Sequence, residues 1–136
     1  MAFADAQKDC TILQGIAPLE ITLAGTVTKG DILGYSSGWV RALATVGTAI
    51  QGRLVAGESG VSGDVITAYA LAVVGGSRYS GATAGNAIYV AEGTDNGKVT
   101  ETAPATTGDV NNIIGRALSA TVLVLAPALR GNDSVA

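Results

Sequence analysis

A chain of 136 residues has the length of one domain, and two independent cores do not fit within it. Twenty-three Ala, 19 Gly, 14 Thr and 8 Ser make nearly half of it small, and charged residues are 14% against a usual ~25%, which is too few for the surface of a solitary monomer. The net charge of −3, with no basic run, excludes nucleic acid as a partner, and the abundance of Val, Ile and Leu excludes a disordered tail.

From the N-terminus, residues 1–19 read as an extended arm. Residues 1–8 are Ala-rich and mixed polar, with Asp5 ahead of Lys8 and therefore no secretion signal expected. Residues 10–17 are apolar and run into Pro18, which blocks a helix. Phe3, Ile12, Leu13 and Ile16 mark the arm as one that docks, either on its own subunit or on a neighbour.

Residues 20–136 read as a single β domain with a short C-terminal tail. Segments holding Val, Ile, Thr and Tyr follow one another at 20–24, 31–35, 39–43, 49–56, 64–74, 86–91, 98–101, 112–118 and 121–126, separated by Gly-containing turns. None carries the i, i+3, i+4, i+7 stripe of a surface helix. The predicted fold is all-β, a small barrel or sandwich of short antiparallel strands. Hairpins are expected at Tyr35-Ser36-Ser37-Gly38-Trp39 and at Asp95-Asn96-Gly97, where the Asn-Gly pair suits a tight turn. Uncharged stretches such as 65–77 and 117–129 reach 13 residues, short of the ~18 that a spanning helix requires, so no membrane partner is expected.

One motif recurs. Thr28-Lys29-Gly30-Asp31, Val61-Ser62-Gly63-Asp64, Thr83-Ala84-Gly85-Asn86 and Thr106-Thr107-Gly108-Asp109 each lead into an aliphatic run. The glycine intervals of 33, 22 and 23 are too irregular for a solenoid. They suit a barrel in which a Gly turn, closed by the Asp or Asn side chain, feeds a strand. Gln51-Gly52-Arg53 and Ile114-Gly115-Arg116 place Gly inside apolar strands, as a bulge or a close backbone approach would require.

The catalytic inventory is thin. The chain has no His, which excludes Ser-His, Cys-His and imidazole-metal arrangements. Cys10 reads as a small apolar residue rather than a nucleophile. Asp31, Asp64 and Asp109 read as turn caps, with a converging carboxylate pair or cation site as the sharper alternative. Gly93–Lys98 falls one residue short of a phosphate loop and reads as a hairpin tip, on which Lys98 is a solvated lysine or, less plainly, a carrier lysine. Trp39 caps one end of the core or anchors an interface. Asn132-Asp133-Ser134 matches the glycosylation tripeptide by chance. No catalytic residue, cofactor or metal site is expected.

Residues 30–127 resemble the capsid cement, or head decoration, proteins of tailed bacteriophages. The resemblance is carried by Gly30-Asp31-Ile32-Leu33-Gly34, Asp64-Val65-Ile66, Gly85-Asn86-Ala87-Ile88-Tyr89-Val90 and Ile114-Gly115-Arg116-Ala117-Leu118-Ser119-Ala120 with Val122-Leu123-Val124, and the apolar arm ahead of this body is similar too. It implies a β-tulip-like body, a non-enzymatic homotrimer bound to the major capsid protein, and a place on the exterior of the virion after synthesis in the bacterial cytoplasm. Phe3, Ile12, Leu13, Ile16 and Trp39 are then the candidate capsid or subunit contacts. The alternatives are a head-fibre or tail-associated structural subunit, and a small ligand-carrying barrel that works through Lys98 or the Asp residues.

Overall fold

The computed structural model describes residues 3, 9–129, 131 and 133–136. Nine strands form it: β1 (Thr11–Thr22), β2 (Ile32–Tyr35), β3 (Trp39–Arg41), β4 (Leu54–Ala56), β5 (Val65–Gly75), β6 (Ala87–Val90), β7 (Val99–Thr100), β8 (Gly115–Ala117) and β9 (Val122–Leu125). All named pairings are antiparallel, in the order β3-β2-β4-β5-β9-β8-β6-β7, with β1 on the other edge of β5. The sheet curls as a small barrel does, which agrees with the all-β expectation. Short 3₁₀ turns at Ser77–Tyr79 and Pro127–Leu129 are the helical content among the described residues. No helix there is long and apolar enough to cross a membrane.

The recurrent turns behave as their chemistry dictates. At all four the glycine has φ between 89° and 93°, the left-handed region open to a residue without Cβ, and the N–H of the following Asp or Asn donates to the carbonyl three residues back. Asp31, Asp64 and Asp109 then accept the N–H of Thr28, Val61 and Thr106 at 2.8, 2.9 and 3.3 Å, closing each turn from the side chain. At Thr83 the N–H goes instead to Glu101 Oε2 at 3.0 Å. The Tyr35–Trp39 hairpin is also as expected, with the two rings edge to face at 5.4 Å.

Two differences stand out. The β6–β7 connection is longer than a tight Asn-Gly hairpin: Val90 pairs with Val99, and the turn from Asp95 to Lys98 lies within the loop between them. That loop closes the curl. Gly97 N–H donates to the Ala42 carbonyl at 2.8 Å while its own carbonyl accepts Ile32 N–H at 2.9 Å, so the far end of the sheet is fastened to the β2–β3 end by single backbone bonds rather than by a ladder. The second difference is β1. Pro18 does not end the extended segment, because proline is tolerated in an edge strand whose missing N–H faces away from the partner. The pairing with β5 runs from Thr11↔Gly75 to Thr22↔Val65, with a register shift between Ile12 and Gln14 and a positive φ of 57° at Ala17.

The core divides into two clusters. The larger gathers Ile32, Val55, Val74, Tyr79, Ile88, Ile114, Leu123 and Leu125, and takes in Phe3 from the N-terminal segment. The smaller, with Ile21, Leu23, Leu33, Leu54 and Ile66, is flanked by Trp39. Gly52 and Gly115 are close approaches of the predicted kind: a Cβ on Gly52 would sit 2.6 Å from Ile32 Cγ2, and one on Gly115 would strike the Val124 carbonyl.

Candidate interaction surface and buried ion cluster

Of the arm residues singled out in the sequence, the structure separates two sets. Phe3 is buried in its own subunit's core, its N–H donating to the Val99 carbonyl at 2.7 Å, and Ile12 packs half-buried against the same core cluster. Leu13 and Ile16 are exposed at 56% and 46%, and Leu19 joins them at 50%. Trp39 is half-buried against the smaller cluster and so covers one end of the core. Residues 1, 2 and 4–8 of the arm, and Asn132 of the glycosylation tripeptide, lie outside the described residues.

These three exposed aliphatics are spread along an unusual strand. β1 pairs with β5 alone, so its outer edge has no strand beside it among the described residues, and most of its side chains are exposed. Isolated exposed aliphatics need no explanation, whereas several along one unpaired strand form an edge that other chains can contact.

At the closure seam lies a polar cluster that the sequence reading did not find. Asp31, fully buried, accepts from Arg78 Nη2 through one carboxylate oxygen and from Arg41 Nε through the other, both at 2.6 Å. Arg78 is itself buried on the 3₁₀ turn after β5; its Nη1 donates to the Lys29 carbonyl at 2.7 Å and its Nε has no partner among the described residues. Arg41 Nη2 donates to Thr28 Oγ1 at 2.9 Å. Two guanidiniums therefore share one carboxylate, and Asp31 serves both as turn cap and as charge partner. Gly97 is packed so tightly here that a Cβ would come within 2.8 Å of Asp31 Cγ. The only local signal was Asp after Gly; Arg78, 47 residues away, had none.

Cys10 borders this cluster, its Sγ 3.4 Å from Tyr79 Oη. Burial pushes the Cys10 thiol above its ordinary pKa and outweighs the lowering by that hydrogen bond and by Arg78. Burial likewise raises the Tyr79 phenol. The thiolate is the reactive form, so alkylation of Cys10 by iodoacetamide at pH 8 is expected to be markedly slower than that of a free cysteine, and to reach the free rate in denaturant. Equal rates in the two states would contradict the burial.

The three aspartates each close their own turn. Among the described residues no group of three or more His, Cys, Asp or Glu side chains gathers as a metal site would require. Asp109 instead meets Glu92. Their side-chain hydrogen bond raises the Glu92 pKa, while the Val46 N–H donating to Asp109 at 2.7 Å holds the Asp109 carboxyl below its ordinary range. The raised group stabilises the fold at pH values below its ordinary 4.5 and loses that contribution as pH rises through its folded pKa; the lowered group does the reverse, losing its contribution as pH falls. Glu92→Gln keeps a donor and removes the titration. The variant is expected to melt at a slightly higher temperature than the wild type at pH 7–8, with the difference vanishing near pH 4, as a series of thermal melts would read.

An open groove of about 680 Å³ flanks the seam, bounded by β3, the β2–β3 hairpin, the chain after β1 and the β6–β7 loop. Arg41 and Lys98 both face it. Lys98 is partly exposed on this groove, its side chain 24% open and its Nζ 3.1 Å from Asp95 Oδ1. Comparison with protein-family models, with curated proteins and with solved structures gives no match.

Proposed function

We propose that this protein is a structural, non-enzymatic decoration subunit of a tailed-phage head, binding the capsid exterior and bridging neighbouring copies of the major capsid protein. The observation that carries the reading is β1, a twelve-residue strand with one unpaired edge and with Leu13, Ile16 and Leu19 exposed along it. A chain with only 14% charged residues has little to keep such an edge apart from other apolar surfaces, so its natural state is a covered one. Three copies about a local three-fold axis would let weak contacts act together, with avidity about 10²–10⁴ above a single contact.

Co-sedimentation with undecorated, expanded heads tests the reading. Saturable binding at micromolar protein, together with a trimer mass by light scattering or on the particle, is the expected result. Protein left in the supernatant at that concentration would sink the proposal.

A further inference from the structure

The groove beside the closure seam combines features that neither the core nor β1 requires. Arg41 is held rigidly at its floor, with Nε on Asp31, Nη2 on Thr28 Oγ1 and Gly97 against its stem, yet the side chain keeps 28% of its surface open. Those two bonds leave Nη1 uncommitted among the described residues. Since the buried Arg78 also draws on Asp31, the carboxylate is shared and the cluster has a guanidinium in excess. Lys98 stands on the same groove, and its pair with Asp95, three residues apart and partly exposed, is of the weak surface kind. A chain of net charge −3 thus places two cationic side chains, Arg41 paired with the shared Asp31 and Lys98 paired with Asp95, on one groove whose volume lies in the range of ligand sites.

The geometry points to a binding site for an acidic peptide segment of a partner protein, with a Glu or Asp carboxylate received between Arg41 and Lys98. A pre-oriented guanidinium edge matches a planar carboxylate. Val40 and Ile50 offer aliphatic wall to neighbouring side chains, while Thr26, Ser36 and Asn96 supply hydroxyls and an amide for a peptide backbone. Phosphate pairs with the same two cations and is the competing ligand that the titration separates. The inference does not depend on what β1 contacts.

The test is a titration of the ¹⁵N-labelled full chain, followed by amide shifts, with a blocked hexapeptide of alternating Glu and Val. Its Gln counterpart and inorganic phosphate serve as the other arms. The acidic peptide is expected to shift the amides of Thr26, Ser36, Arg41, Asn96 and Lys98 along one saturating curve. The Gln peptide should not saturate. Lys98→Glu should weaken binding by about tenfold, with Lys98→Gln intermediate. Raising salt from about 0.02 to 0.3 M should weaken wild-type binding, an arm that holds even if a Lys98 variant fails to fold. The proposal is overturned by an absence of saturation, by equal response to the Gln peptide, by salt-independent binding, or by phosphate occupying the same amides more tightly than the acidic peptide.

Discussion

Asp31→Asn is expected to lower unfolding free energy by about 3–5 kcal/mol, the cost of leaving a buried guanidinium without its carboxylate. Against a typical domain stability of about 5–15 kcal/mol, that is a large share. The backbone turn itself tolerates an amide: Asn86 occupies the same position in the third copy of the motif, where its N–H closes on the Thr83 carbonyl at 3.0 Å. Arg78, fully buried, then faces an amide in place of the carboxylate oxygen it held at 2.6 Å. Urea denaturation followed by circular dichroism reads the loss, and a midpoint unchanged from the wild type would show the cluster to be energetically idle. Asp31→Asn made in an Arg78→Met background should cost less than in the wild type, since the stranded cation is gone.

Replacing Leu13, Ile16 and Leu19 together by Thr is expected to leave the fold intact and to abolish the proposed head binding. The three side chains are exposed, and Thr suits a strand, so the melting temperature should move little. Each aliphatic side chain buried in a complex contributes about 1.5–3 kcal/mol, so three together correspond to a loss of about 10³-fold or more in affinity. Sedimentation of the variant with expanded heads measures this directly. Binding equal to the wild type, with an unchanged melt, would move the contact away from β1.

Removal of the whole arm is a different experiment. Phe3 lies in the larger core cluster and β1 covers one edge of β5 from end to end, so truncation through Pro18 strips core as well as contact surface and cannot isolate binding. From the sequence, residues 1–19 read as an arm apart from the β domain of residues 20–136. What was missing was the pairing of residues 11–22 with 65–75, some fifty positions distant, which no local pattern announces. By contrast, the Gly-Asp turns and the Tyr35–Trp39 hairpin were legible because their geometry is decided by three or four adjacent residues. The strands were legible for the same reason, through β-branched residues bounded by glycine. The seam was not: Asp31, Arg41, Arg78 and Gly97 meet only once the sheet has curled, and the groove needs four separate stretches of chain to exist.

The irregularities of β1 bear on how far its association can go. The register shift beside Leu13, the left-handed Ala17 and the absent N–H of Pro18 fall within seven residues. A flat edge of this length could template strand upon strand into a fibre, since each added chain would offer the same unpaired edge onward. Three interruptions break the edge into runs too short to sustain such a ladder, while leaving the aliphatic side chains free to contact a surface of a different shape. An edge so interrupted can accept one contact without offering the same ladder onward.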